Sequence, residues 1–268
     1  MFRSLFVLLA AGVMSPGPAL KPAVVTVHAS EFAFTAPKSA PAGTITFRMV
    51  NDGKQLHHLA IIRLLNGRTV SDFMEFMKKP GPPPSWAVAV GGPNAIAPGQ
   101  STDATLTLEP GNYALVCFVP SPGDPTPHVM KGMISALTVT PSSAPAVNLP
   151  ANVNIRLSDY KFGLSKPLTA GRHVIQVTND AAQDHEVLFV KLAPGATTKK
   201  LADWVESGMQ GPPPAMPLGG VAPLAKGRSS TVALDLTPGT YGMVCFLPDA
   251  KDGKPHSVHG MTAQFEVK

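Results

Sequence analysis

Leu108-Glu109-Pro110-Gly111-Asn112-Tyr113-Ala114-Leu115-Val116-Cys117-Phe118 reads as a Pro-Gly turn running into a short apolar strand that ends on a cysteine. The same pattern returns as Leu236-Thr237-Pro238-Gly239-Thr240-Tyr241-Gly242-Met243-Val244-Cys245-Phe246, a shift of 245 − 117 = 128 positions. That shift also relates Glu31-Phe32-Ala33-Phe34 to Asp159-Tyr160-Lys161-Phe162, Ala42-Gly43 to Ala170-Gly171, and Asn51-Asp52 to Asn179-Asp180. A repeat this long exceeds a solenoid unit, so each copy reads as a whole domain. The expected domains are residues 23–140 and 152–268. The stretch 141–151, PSSAPAVNLPA, reads as a short stiff linker.

Working outward from the cysteine strands, each copy is mostly strand. Val24-Val25-Thr26-Val27 and Thr44-Ile45-Thr46-Phe47 are β-branched runs, and Thr102 to Leu108 alternates polar and apolar. Ile134 to Thr140 and Thr262 to Val267 read as closing strands. Seven or eight short strands per copy predict an all-β protein of two tandem antiparallel β-sandwiches. One short helix interrupts each copy. Thr69-x-x-Asp72 has the form of a capping box, with Val70, Phe73 and Met77 on one face, Lys78-Lys79 at the C-terminal end and Pro80 as the stop. The second helix carries Leu201, Trp204 and Val205 on one face, with Gly208 after it. Each helix leads into Gly-Pro-Pro-Pro, Gly81 to Pro84 and Gly211 to Pro214, which reads either as a rigid surface loop or as a lip near a functional site.

Composition agrees with this and excludes several classes. Of 268 residues, 29 are proline and 24 glycine, while charged residues make up only 15% and hydrophobic ones 44%. A coiled coil and a charge-rich disordered chain are both ruled out. Aromatics at 6% argue against a stacking surface for single-stranded nucleic acid. Lys plus Arg exceed Asp plus Glu by 22 − 17 = 5, but the basic residues are scattered, so no nucleic-acid partner is expected. At the N-terminus, Arg3, the apolar run Leu5 to Met14 and the break Ser15-Pro16-Gly17-Pro18 before Ala19 predict a signal peptide over residues 1–19. Ten apolar residues are too few to span a bilayer, so the mature chain is expected to be exported, periplasmic or extracellular, without a membrane span.

Cys117 and Cys245 are the only cysteines, and three readings are open to them. A disulfide would have to join equivalent strands of two domains. Two inert buried thiols are a second reading. The third rests on what surrounds each cysteine. Cys117 is followed by His128 and Met133, Cys245 by His256 and Met261, and His57 and His185 lie upstream at the same register. Two imidazoles and a thiolate with a weak axial thioether are the donor set of a blue-copper site, whereas zinc takes Cys and His without thioether. His58 points to the opposite face from His57 if both lie in a strand, and it pairs with Glu186 across the repeat; Met130, whose counterpart is Val258, is a poorer axial candidate than Met133. His259 reads as supporting or exposed, and His28 and His173 as structural.

Both copies resemble cupredoxin domains. The Leu-x-Pro-Gly-x-Tyr-x-x-x-Cys segments resemble the family's strand into the copper loop, and His128-x-x-x-Gly132-Met133 and His256-x-x-x-Gly260-Met261 resemble its His and Met ligands. His57 and His185, each shortly after an Asn-Asp turn, match its upstream ligand. The resemblance implies Greek-key sandwiches with one type 1 copper each, held by His57, Cys117, His128 and Met133 and by His185, Cys245, His256 and Met261. It implies single-electron exchange with a protein redox partner. Copper buffering, delivery or sensing, with a copper donor or acceptor as partner, is the alternative. A nitrite reductase- or laccase-like oxidoreductase assembled as an oligomer is another. Such enzymes carry a further copper wired to the blue site through a His beside the ligand Cys. Here Val116, Phe118, Val244 and Phe246 occupy those places and no His-x-His pair occurs, so the expectation is a protein that is not itself an enzyme. Asp184 and Glu186 flank His185 where Leu56 and His58 flank His57, which predicts a lower potential at the second site.

Overall fold

The computed structural model describes residues 21–268 except 80, 145, 146 and 148. The signal peptide expected over residues 1–19, the stop assigned to Pro80 and part of the expected linker lie outside the described residues. Among the described residues no helix is long and apolar enough to cross a membrane.

The strands form two large layers, and each layer runs through both copies. One sheet has the order Ala33–Thr35, Ala23–Ser30, Gly43–Asn51, Ser101–Leu108 in the first copy, then Ser229–Leu236, Gly171–Asn179, Val153–Ser158, Lys161–Leu164 in the second. The other runs Ser39–Pro41, Ile134–Thr140, Gly111–Val116, Ala60–Leu64, Ala87–Gly91, then Ala215–Leu224, His185–Leu192, Gly239–Val244, Thr262–Val267. The copies join edge to edge where Thr105 faces Thr231 and where Val90 faces Leu224. Each copy thereby caps an edge the other would leave exposed. Pairing is mainly antiparallel, as expected. Ala23–Ser30 nevertheless lies parallel to Gly43–Asn51, and Val153–Ser158 to Gly171–Asn179. In the first copy the chain visits the opposite sheet at Ser39–Pro41 before returning, an excursion long enough for a parallel crossover.

Alternation sets which face is buried. Ala23–Ser30 hides Val25, Val27 and Ala29 and exposes their neighbours, the period of a strand with one wet face. The inner core of the first copy gathers Phe47, Met49, Leu106, Leu115 and Tyr113 around Cys117 and Met133. That of the second gathers Ile155, Val177, Phe189 and Met243 around Cys245 and Met261. Ala60–Leu64 and His185–Leu192 are buried on both faces, because the two helices cover their outer side. Helix α1 (Val70–Met77) starts on the expected capping box: Thr69 Oγ1 accepts from Asp72 N at 3.3 Å and Asp72 accepts from Thr69 N at 2.8 Å. Helix α2 (Thr198–Glu206) is capped by Thr197 and buries Leu201.

The two Pro-Gly turns explain their own sequence. Gly111 and Gly239 have φ near +148° and +149°, a region closed to side chains with a Cβ. Two residues on, the hydroxyls of Tyr113 and Tyr241 each donate to the carbonyl of residue 109 or 237 at 2.7 Å, tying the turn to the strand that carries the cysteine.

Candidate metal centres

Each candidate centre is assembled from three loops at one end of its sandwich. The Asn of each Asn-Asp turn organises the first. Asn51 donates to the carbonyls of Gln55 and Ile96 at 2.8 and 3.1 Å and accepts from Gly53 N at 3.0 Å. Asn179 does the same with Gln183, Leu224 and Ala181. These bonds hold the backbone that presents His57 and His185. The cysteine is fixed where its strand ends, Cys117 N donating to Met133 O and Cys245 N to Met261 O, both at 3.2 Å. The third loop folds back so that Val129 N and Ser257 N reach the cysteine carbonyls at 2.8 and 2.9 Å. His128 and His256 then face inward, although the loops before them differ in sequence.

In the first copy His57 Nδ1, His128 Nδ1 and Cys117 Sγ form a triangle with edges of 3.2, 3.5 and 3.9 Å. In the second, His185 Nδ1, His256 Nδ1 and Cys245 Sγ give edges of 3.0, 3.3 and 4.0 Å. The circumcentre of either triangle lies about 2 Å from each corner, a metal-to-nitrogen bond length. All six side chains are fully buried, and so are Met133 and Met261, which pack in the same cores as the cysteines. Two imidazoles and a thiol converging at this spacing, beside a thioether, fit copper.

Burial sets the charge state of the protein groups. Desolvation pushes the Cys117 thiol up to about 12, and raises Cys245 as well, with the Glu186 charge adding to it. Desolvation lowers His57 and His185 and takes His128 and His256 down to about 4. The metal-free centres therefore hold a neutral thiol and neutral imidazoles at neutral pH.

The outer nitrogens of the rings show how the copies differ. His185 Nε2 meets Asp159 Oδ1 at 3.0 Å, which fixes the ring with Nδ1 free to bind. Glu31 holds the equivalent place in the first copy, but its carboxylate accepts from the backbone of Lys54 and Gln55 and stays 3.9 Å from His57 Nε2. His128 Nε2 lies 3.2 Å from Ser121 Oγ, which accepts from Lys131 Nζ. Phe32 and Tyr160 turn through left-handed backbone, with φ of 60° and 63°, and set their rings edge-on against His128 and His256. In the sequence the Glu31-Phe32 and Asp159-Tyr160 pairs read only as repeat markers. Their recurrence at the shift of 128 was the available signal for a place at the centres.

Both copies thus carry the same sandwich, the same His-Cys-His triangle and the same buried methionine. The fold is that of a tandem cupredoxin-like protein. No protein-family model matches the sequence, and no curated protein is similar to it. Solved structures are similar at low identity. Auracyanin A, a "blue" copper protein of Chloroflexus aurantiacus, is 18% identical and matches 45% of this chain and 100% of its own, with a TM-score of 0.33. The copper nitrite reductase of Nitrosomonas europaea is 14% identical over 92% of this chain and 94% of its own, with a TM-score of 0.27. A multi-copper oxidase of Pseudomonas thermotolerans is 13% identical over 95% and 69%, with a TM-score of 0.26. Likeness this remote does not transfer an activity, and the fold rests on the strand order and the triangles. It does correct one expectation. The absence of a His beside either cysteine was read as the mark of a protein that is not an enzyme, yet similar tandem chains include a nitrite reductase and a multi-copper oxidase. Motif absence in one cupredoxin-like chain is no ground for that exclusion, since a substrate site is also built from residues scattered in sequence.

The remaining candidates fall as follows. Met130 is exposed, and so is Val258, its partner in the repeat. His28 pairs with Asp52 at the surface and His173 bonds Thr169, so neither is a corner of a triangle. His259 bonds Asp252 at 3.2 Å beside Asp249, whose carboxylate is already committed to Tyr160, Gln183 and Lys251 N. Gly81 to Pro84 of the first segment and Pro213 of the second line the cleft between the copies together with Phe73, Phe76 and Trp204. His58 and Glu186 are buried at the floor of that cleft rather than exposed.

Proposed function

We propose that the chain is an exported copper oxidoreductase component that binds one type 1 copper in each copy, through His57, Cys117, His128 and Met133 and through His185, Cys245, His256 and Met261, and moves single electrons. The observation that carries this reading is the pair of buried triangles, each with its circumcentre at bonding distance from two nitrogens and a sulfur. Bound copper supplies a one-electron couple. The chain's part is to hold the imidazoles at fixed tautomers, keep water away and hold one geometry for both oxidation states. Complete burial of the ligands disfavours copper delivery, which needs a donor group an acceptor can reach.

The test is metal content with a visible spectrum. Copper-loaded protein should hold two coppers per chain and show an intense thiolate-to-copper band. A colourless protein, or a single copper, overturns the reading. Turnover of nitrite, or of oxygen with a phenol, by that material and in its native oligomer assigns the electrons to a small substrate. Full loading without turnover assigns them to a protein partner.

The two centres should differ in potential, with the second lower. The carboxylate of Asp159 at His185 and the buried Asp249 near His256 favour the more positive oxidised metal, whereas in the first copy Glu31 stays 3.9 Å from His57 and Asp124 near His128 is paired with Lys131. Glu186 contributes less than its sequence position implies, because burial raises its pKa to about 7. Asp159 is half exposed, so screening leaves a gap on the order of 50 mV. Redox titration of the two single-site Cys→Ser variants reads each potential, and a second potential at or above the first refutes this electrostatic account.

A further inference from the structure

Beside the second centre the loop after the cysteine departs from its counterpart in the first copy. In the first copy Ser121, Asp124 and Lys131 form a closed set. Lys131 Nζ bonds Asp124 Oδ2 at 2.7 Å and Ser121 Oγ at 2.6 Å, and it lies 4.9 Å from the centre of the Phe32 ring. At the shift of 128 these positions hold Asp249, Asp252, His259 and Tyr160. The loops turn alike: Asp124 accepts from Thr126 N at 2.9 Å and Asp252 from Lys254 N at 3.0 Å. The His259 ring takes the place of the Lys131 ammonium against the aromatic ring, 5.2 Å from that of Tyr160. Where the first copy keeps a cation of its own, the second therefore presents two carboxylates and an imidazole.

Their ligand atoms all lie within 4.8 Å of one another. In the first copy Asp124 and Lys131 cancel in charge. In the second, Asp249 and Asp252 carry two negative charges beside an imidazole, and among the described residues neither aspartate pairs with a lysine or arginine. His259 is no full substitute for the lysine, since it bonds Asp252 at 3.2 Å and protonation would supply a single charge. Asp249 is buried and fixed in place. Its Oδ2 accepts from Tyr160 Oη and Gln183 Nε2, and its Oδ1 from Lys251 N at 2.8 Å. A carboxylate offers about four lone pairs, so Oδ1 keeps one. On the inner side His256 Nε2 is buried without a hydrogen-bond partner and faces Asp249 Oδ2 at 3.8 Å. One imidazole thus separates this carboxylate from the second centre.

We propose that Asp249, Asp252 and His259 form a third metal site, which holds a divalent transition cation such as zinc in the place that Lys131 Nζ fills in the first copy. One imidazole nitrogen and two carboxylate oxygens suit such an ion, and three protein ligands leave a position to water. Asp252 and His259 are partly exposed, so the ion can enter from solvent. The site stands on its own geometry, and its effect on the second centre rests on the copper reading above. There the dication opposes the charge of Asp249, favours the less positive reduced metal and raises the potential. The lower potential expected at the second centre belongs to the zinc-free protein.

The test uses the full chain and zinc, which is redox-silent. Copper is loaded first and limited to two equivalents, because an excess competes for the same donors. Equilibrium dialysis should then show one zinc per chain. His259→Lys installs the ammonium of the first copy and should abolish that zinc. Asp252→Asn should weaken it at least about tenfold. Both side chains are partly exposed, so the thiolate band and the melting curve should stay native in both variants. In the Cys117→Ser protein, whose coloured centre is the second, zinc should raise the potential, and adding His259→Lys should remove the response. In the Cys245→Ser protein zinc should move the first centre less. The site is overturned if the copper-loaded chain takes up no zinc, or if His259→Lys and Asp252→Asn bind it as tightly as the native chain. Zinc bound as expected with the second potential unmoved, or with both potentials moved equally, overturns the coupling. Failure to take up coloured copper overturns the copper reading instead, and the loss of one zinc on adding His259→Lys to the double Cys→Ser chain then still reads the site.

Discussion

Copper-loaded Cys117→Ser protein should keep one coloured centre of the native two, Cys245→Ser should keep the other, and the double variant should be colourless. The colour comes from the thiolate, and a serine oxygen is neither ionised at neutral pH nor soft enough to replace it. Affinity at the altered centre should fall by at least about a hundredfold, since loss of even a residue supporting a metal ligand costs 10- to 100-fold. The substitution is nearly isosteric, and the sulfur it replaces has an imidazole nitrogen 3.5 Å away in the first copy and 3.3 Å in the second, a partner within reach of the new hydroxyl, so the fold should survive. Metal analysis, the thiolate band and a melting curve on the same samples separate ligand loss from unfolding. If the double variant keeps both the band and the copper, the ligand assignment is wrong.

Copper affinity at each centre should rise about tenfold for each unit of pH between roughly pH 7 and 9, above the ordinary imidazole range. Burial holds the Cys117 thiol near 12 and raises Cys245 too, while His128 and His256 are depressed to about 4 and His57 and His185 are also lowered. Within this window each metal-free centre carries one thiol proton and no imidazole proton. Binding requires the thiolate, so it releases one proton, and raising the pH removes a product and favours the bound state. Chelator competition across the window, with proton release counted by an indicator dye, gives the slope directly. A slope near zero would mean the thiol is already ionised, and a slope near two would mean a histidine is protonated as well.

Much of this molecule is local and therefore visible in the chain. Strand alternation in Ala23–Ser30, the Thr69 capping box and the Pro-Gly turns before each cysteine are fixed by neighbours a few residues away. The donor set was legible for a different reason. The repeat shows the His, Cys, His and Met at one spacing twice, and few chemistries need that combination. What escaped depends on contacts between residues far apart. The joining of the copies into two continuous sheets rests on pairings such as Thr105 with Thr231, Val90 with Leu224 and Pro93 with Val221, which have no pattern of their own in the sequence. Asp159 and Glu31 share a register yet divide their hydrogen bonds differently, because the loop backbone facing each of them differs. Glu186 was read as a charge weighing on the second centre. The junction instead buries it against Asn94, 92 residues away, and raises its pKa toward neutrality. Sequence alone singled out which side chains are candidates to hold a metal, because donor chemistry belongs to the residue. Only the tertiary structure decided how those centres are charged, shielded and joined, because desolvation and hydrogen bonding belong to the neighbours that folding brings together.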